Sequence, residues 1–293
     1  MRVFITGGTG LIGSAVIAEL LGHGHTVLAL ARSDASAQAA RTAGAEPLLG
    51  ELSALDVLRA GAAQADGVIH LAFSNDFSSP DALTRAIDEE TAALTTLGEA
   101  LSGSDRPLVT VSGTPWIAGR ASLETDPLPV DGPVGGRGRT VNAILALATR
   151  GVRTSAIRLP RTVHNNGMGG FAGLLTNIAR QSGVSGYAGD GEQRWPAVHA
   201  LDAAVLFRLA LEQAEPGTAW HAVADEGDKV RDIAAVIGRR LGLPVQSVAP
   251  DSYGPLGSIF AMDQPASSAH TRAVLHWEPR HPGLLADLEN LQP

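Results

Sequence analysis

A chain of 293 residues with 44% hydrophobic and 18% charged content can bury a large core and suits one principal domain with a smaller appended lobe. The formal net charge of -8, with no basic cluster, argues against nucleic acid as a partner, and zero cysteines exclude disulfides, thiolate catalysis and Cys-ligated metals. The chain opens on a strand and not on a cationic leader, and no run of roughly 18 apolar residues follows, so a cytoplasmic protein with no membrane partner is expected.

From residue 2 to about 158, apolar runs alternate with stretches of helical periodicity. The first strand, 2–6, passes directly into Gly7-Gly8-Thr9-Gly10-Leu11-Ile12-Gly13, and the apolar positions Leu11, Ile12, Val16, Ile17, Leu20 and Leu21 continue as a helix. This order predicts a dinucleotide pyrophosphate site. Gly7 permits the tight turn, Gly10 lets the main chain approach the phosphates, and Gly13 lets the helix pack closely on the strand. Free N–H groups at the helix start, backed by its dipole, favour the anion. Gly7, Thr9, Gly10, Leu11, Ile12 and Gly13 are therefore candidate cofactor contacts.

The second strand, 25–31, ends in Ala31-Arg32-Ser33. A site for NAD places an acid here to hold the ribose hydroxyls, and that carboxylate repels a 2′-phosphate. Ala31 leaves the acid position empty, and Asp34 lies too far along the loop to supply it. Arg32 and Ser33 offer a planar cation and a hydroxyl, so NADP(H) is the expected cofactor, a solvated loop charge at Arg32 being the alternative.

Further strands are expected at 45–49, 66–71, 107–112 and 153–158. Such alternation yields a parallel, doubly wound Rossmann sheet of the α/β class, with the cofactor across the carboxyl ends of the strands. The Pro- and Gly-rich segment from Ala118 to Arg139 reads as a loop over that edge and a candidate lid. From Pro160 onward the pattern is irregular, with helices near 168–182, 201–213 and 229–242. The expected division is a cofactor-binding domain at 1–160 and a substrate-binding lobe at 161–293, joined in one structural unit.

These motifs are similar to those of the short-chain dehydrogenase/reductase superfamily, in the extended or atypical branch that includes sugar epimerases, dehydratases and many reductases. Gly50-Glu51-Leu52 resembles the Gly-Asp-Leu after that family's third strand, and Asp66-Gly67-Val68-Ile69-His70-Leu71-Ala72 its Asp-x-Val-x-His-x-Ala. Val111-Ser112-Gly113-Thr114 sits where the family keeps its active-site Ser or Thr. Arg158-Leu159-Pro160-Arg161-Thr162-Val163-His164 resembles the Arg-Pro-x-x-Val-Tyr-Gly segment beside the nicotinamide. The resemblance adds Glu51, Leu52, Leu71, Ala72, Val111, Ser112, Pro160 and Val163 to the candidate cofactor contacts and implies Thr114 as a hydroxyl that orients a carbonyl.

The catalytic machinery departs from the family pattern. Most members use a Tyr as general acid/base, followed four residues later by a Lys. The only tyrosines here are Tyr187 and Tyr253 and the only lysine is Lys229. The expected pair falls near Val134 and Gly138, where Arg137 or Arg139 is a candidate replacement cation, though a guanidinium with pKa above ~12 is a poor proton donor. His164, next to Val163, is the candidate proton relay, since an imidazole titrates near ~6.5; water is the competing source. Asp202 matches a family acid that is usually structural, and the histidines have no metal spacing.

Phe73, Phe77, Trp116, Phe171 and Trp195 make the prospective pocket apolar, with Tyr187 and Arg194 as further candidate substrate contacts. Arg194 is the one residue matching the family's diphosphate-holding bases. The expected function is NADPH-dependent hydride transfer to the carbonyl of a small or medium hydrophobic ketone or aldehyde by a monomer or homodimer. A sugar-nucleotide epimerase or dehydratase and a non-catalytic NADP(H)-binding sensor are the alternatives.

Overall fold

Alternate residues of the central strands enter two different cores. Val3, Ile5, Val27, Ala29, Ile69 and Val109 face one, and Phe4, Leu28, Val68 and Leu108 the other. A strand buried on both faces needs helices on both faces. The computed structural model, which describes residues 1–74 and 79–292, supplies them. In chain order the elements are β1 (Arg2–Thr6), α1 (Leu11–Gly22), β2 (Thr26–Ala31), α2 (Asp34–Thr42), β3 (Glu46–Leu49), α3 (Leu55–Ala63), β4 (Gly67–His70), α4 (Pro80–Leu101), β5 (Pro107–Gly113), α5 (Gly135–Leu145) and β6 (Arg153–Leu159). There follow β7 (Thr162–His164), α6 (Gly170–Ser182), β8 (Ser185–Ala188), β9 (Arg194–His199), α7 (Ala200–Gln213), β10 (Thr218–His221), β11 (Asp225–Lys229), α8 (Val230–Leu241), β12 (Val245–Val248), α9 (Gly257–Phe260), α10 (Ala269–Leu275) and α11 (Leu284–Leu288).

Seven parallel strands form the main sheet in the order β10-β6-β5-β4-β1-β2-β3. It is the doubly wound Rossmann arrangement expected from the alternation. Helices α1 and α7 pack on one face, and α3, α4 and α5 on the other. The strand order reverses between β1 and β4, which opens a crevice beyond their carboxyl ends. The seventh strand, β10, comes from the C-terminal part of the chain and was not among the predicted strands. It follows α7, which crosses back to lie on α1.

The remaining strands form small sheets, β11-β9-β7 and β12-β8, around a separate core of Trp195, Phe260, Tyr253, Ile233 and Ile237. Gln264 and Ser122 tie this lobe to the sheet edge through the carbonyl of Thr114 and the Pro265 carbonyl. The 118–139 segment, expected as a lid, is stapled down. Ser122 exchanges backbone bonds with Pro265 and Ser267, Arg120 grips Asp126 with two bonds, and Leu128 is buried.

Candidate cofactor and substrate site

The ends of β1 and β4 are held together by a buried hydroxyl. Thr6 Oγ1 lies 3.0 Å from His70 Nδ1 and accepts the N–H groups of Leu71 and Ala72 at 3.3 Å. Burial, with the Arg137 charge nearby, holds His70 down to about 3, so its ring is neutral. Gly7 then turns the chain at φ 72°, and a Cβ there would stand 2.8 Å from the Ala72 nitrogen.

The three glycines are demanded by different things. At Gly13 a Cβ would come within 2.7 Å of the Gly8 Cα and closer still to the Gly7 carbonyl, so helix-on-strand packing requires glycine. At Gly10, φ -77° and ψ 173° suit any residue, and the nearest atom to a Cβ is the Gly7 oxygen at 3.5 Å. Nothing in the protein itself needs that bare Cα. It faces open space at the start of α1, which has no side-chain cap and no acid in its first turn. A pyrophosphate fits both features, a close backbone approach and uncapped N–H groups.

Along the same edge, Arg32 is exposed beyond β2 and, among the described residues, makes no ion pair or hydrogen bond. Ser33, expected to bind phosphate, is committed elsewhere. It is the N-cap of α2, its hydroxyl accepting from Ser36 N while its own N–H donates to Ser36 Oγ. Glu51 is exposed and Leu52 half-buried after β3, and Leu71 and Ala72 are half-buried beyond β4. On the opposite side, Leu11 and the Val163 carbonyl close around Gly169, where a Cβ would stand 2.6 Å from the Leu11 Cδ2. Val163 is thereby brought to the α1 end of the crevice, and Pro160 follows the carboxyl end of β6.

At the carboxyl end of β5, Val111, Ser112 and Thr114 are buried, Thr114 with 6% exposure. The Thr114 backbone is fixed on both sides: its N–H donates to Leu159 at 2.9 Å and its carbonyl accepts from Gln264 Nε2 at 2.7 Å. Its Oγ1, like Ser112 Oγ, has no hydrogen-bond partner. Thr110 Oγ1 on the same strand is likewise unpartnered, so the end of β5 carries several hydroxyls with free bonding capacity.

The start of α5, where the pair is expected, is tightly packed. Gly135 and Gly138 lie against the backbone of Pro129 and Val130, with the Pro129 carbonyl carbon 3.0 Å from where a Gly138 Cβ would be and its oxygen nearer. Exposed Val134 caps the helix. Arg139 points outward and donates to the Val130 carbonyl. Arg137 turns inward, its Nε and Nη2 each 2.7 Å from a carboxylate oxygen of Glu90, which is 2% exposed, and its guanidinium lies 4.0 Å over the Phe73 ring. Glu90 was missed in the sequence, although it interrupts the apolar stripe Ala86, Ile87, Ala93, Leu94 and Leu97 of α4.

His164 is placed differently from expectation. It is 1% exposed, its Nδ1 is 2.9 Å from Asp287 Oδ2, and its Nε2 is buried without a partner, 5.4 Å separating its ring from that of His199. The Nδ1 bond ties β7 to α11, and Nε2 is the nitrogen left for any relay. Asp202, as expected, is structural, accepting the N–H groups of Arg280 and His281.

Among the expected substrate contacts, Trp116 and Arg194 meet through one segment. Trp116 Nε1 donates to the Asp263 carbonyl at 2.9 Å, and Arg194 donates to both Asp263 carboxylate oxygens at 3.1 and 2.8 Å. Arg194 borders a cleft of about 450 Å³ with Gly189, Asp190, Pro250 and Asp263. Trp195 is fully buried behind Phe171 and Phe260, so it backs the lobe and does not line open space. Tyr187 packs half-buried on β8 against Gly191. Phe77 lies outside the described residues.

Residues 3–223 match the NAD dependent epimerase/dehydratase family. The chain belongs to that family. It is 43% identical to an uncharacterized protein of Schizosaccharomyces pombe and 40% identical to one of Saccharomyces cerevisiae, in each case over 98% of both chains. Its fold superposes on the UDP-glucose 4-epimerase of Thermotoga maritima with TM-score 0.80 at 18% identity, covering 99% of this chain and 97% of the other. As a member of this epimerase/dehydratase family the protein is an NAD(P)-dependent oxidoreductase or epimerase-type enzyme. No helix among the described residues is long and apolar enough to cross a membrane.

Proposed function

We propose that the protein is an NADP(H)-dependent reductase of carbonyl compounds with an apolar body. The observation that carries this reading is the idle, buried Thr114 hydroxyl on a backbone clamped by Leu159 and Gln264. Bound nicotinamide supplies the hydride for the carbonyl carbon. Thr114 donates to the carbonyl oxygen, a role that needs no change in its protonation. Arg137, held by Glu90 through Nε and Nη2, keeps its third nitrogen for the ribose side of the site and stands in for the family Lys as an electrostatic support. With His164 enclosed and no Tyr on α5, water delivers the proton to the developing alkoxide.

The free Arg32 supports a 2′-phosphate. Its partner in that task is not Ser33, whose hydroxyl caps α2. Arg194 gives Nε and Nη2 to Asp263 and, like Arg137, keeps its third nitrogen for a ligand, so it does not decide between this reading and the sugar-nucleotide alternative.

The test is NADPH consumption against a panel of aryl and alkyl ketones and aldehydes. Thr114→Val should lower turnover about 10–100-fold, the ~1.5–3 kcal/mol of a hydrogen bond to developing charge, with cofactor affinity unchanged. Cofactor binding without any carbonyl-dependent oxidation would instead establish a sensor, and equal turnover by the Val variant would remove Thr114 from the mechanism.

A further inference from the structure

Arg161 follows Pro160 at the carboxyl end of β6, where Leu159 lies opposite Gly113 and accepts the Thr114 N–H. Its side chain turns into the second lobe. The guanidinium carbon is 5.1 Å from the centre of the Phe171 ring and 5.8 Å from that of Trp195. Nε and Nη1 are buried, and neither makes a hydrogen bond. Two neighbouring arginines withdrawn from solvent do have partners, Arg137 in Glu90 and Arg158, through Nη1, in the carbonyls of Glu124 and Asp126. No carboxylate among the described residues pairs with Arg161, and burial alone pushes it down to about 10, which leaves it a cation at neutral pH.

A guanidinium with buried, unused donors is costly to fold around, and packing alone would have been served better by Met or Leu. Its planar fork matches a planar carboxylate. One cation among aromatic rings suits a singly charged group better than a dianionic phosphate.

We infer that Arg161 is the receptor for a substrate carboxylate, so that the site takes oxo acids with an apolar body, the acid on Arg161 and the ketone on Thr114. The inference deepens the reductase reading and rests on it for the reaction, though not for the binding. The carbonyl carbon gains a hydride from NADPH, its oxygen gains a proton from water, and the carboxylate is unchanged.

Two measurements separate the parts. In the first, phenylacetate should raise the Tm of the NADPH-loaded protein while phenylacetamide does not. Arg161→Met should abolish that shift while raising the Tm without ligand, because a buried unpaired charge is gone. In the second, the ratio of kcat/KM for benzoylformate over its methyl ester should fall at least ~30-fold in Arg161→Met and by less in Arg161→Lys, which keeps the charge but loses the fork. The concentration of active enzyme cancels within each ratio and the intrinsic reactivity of the two ketones cancels between variants, so a partly destabilised variant still reports. Equal shifts by phenylacetate and phenylacetamide, or an unchanged ratio, overturn the inference. An Arg161-dependent shift without reduction of either ketone upholds the carboxylate receptor and refutes the reductase reading alone.

Discussion

Adding the same methyl group at Gly10 and at Gly13 should separate cofactor binding from folding. At Gly10 the dihedral angles are ordinary, and a Cβ meets only the Gly7 oxygen at 3.5 Å. Gly10→Ala gains about 0.4–1 kcal/mol from a less flexible unfolded chain and loses a few tenths to about 1 kcal/mol at an N-cap, so stability should change by less than about 1 kcal/mol. The methyl would sit where the pyrophosphate must approach, and overpacking of about 1–3 kcal/mol there corresponds to a cofactor Kd roughly 5–150-fold weaker. At Gly13 a Cβ would stand 2.7 Å from a backbone carbon that has no rotamer to move into. Gly13→Ala should therefore lose about 3 kcal/mol or more, read as a clear fall in the urea midpoint. The assay is urea unfolding paired with NADPH titration by fluorescence. A Gly10→Ala protein that binds NADPH as tightly as wild type would refute the assignment of the pyrophosphate site, and a fully stable Gly13→Ala would refute the packing argument.

Arg32→Glu should weaken NADPH by about 1.5–3 kcal/mol more than NADH, and equal losses for the two cofactors would show that Arg32 meets only solvent. In acid the protein should lose stability early. Folded His70 is held to about 3 and His221 to about 4 by burial, both below the ordinary 6.5, so this stability is complete above pH ~6.5 and drains as the pH falls toward 3. His70 alone contributes a loss of about 2 kcal/mol between pH 6.5 and 5, visible in the urea midpoint, and a flat profile over that range would contradict its burial as a neutral ring. Asp228 works in the opposite direction. Burial, then Asp225 and Asp232, pushes it up to about 6, so the folded state is penalised above that pH. Asp228→Asn should raise Tm at pH 7.5, with the gain disappearing below pH ~4; a gain independent of pH would have another cause.

What was legible in the sequence was local. The glycine spacing, the strand lengths and the crossovers of the first half follow from side-chain periodicity within a dozen residues. β10 gives no such signal: Thr218–His221 is four residues long, and its place in the sheet depends on α7 returning to α1. Ser33 shows how one residue type carries two readings, since Ser33 and Ser36, spaced three apart before Ala37 and Ala40, also form a helix cap, and the cap is what forms. Trp195 was read as a pocket wall because aromatic side chains near a site suggest one. Its burial depends on Phe171 and Phe260, which come from elsewhere in the chain. Arg161 stood inside a quoted motif without a role, because a missing salt-bridge partner is visible only in three dimensions.

The tight start of α5 is a property of a pair of segments and not of two residues. Lys cannot occupy position 138 while Pro129 lies across it, and Pro129 is held there by a segment anchored at Ser122, Arg120–Asp126 and Leu128. The cation at this helix start that turns inward is Arg137, and a guanidinium withdrawn from solvent there favours a carboxylate partner because its charge persists through any working pH. Glu90 meets the need from α4, buried and paired through two bonds, so it is neither free to act as a base nor dispensable as a surface acid. Close packing of the 118–139 segment on the glycines of α5 and the Arg137–Glu90 pair thus meet at one helix start. On the reductase reading proposed above, water delivers the proton while Thr114 orients the carbonyl.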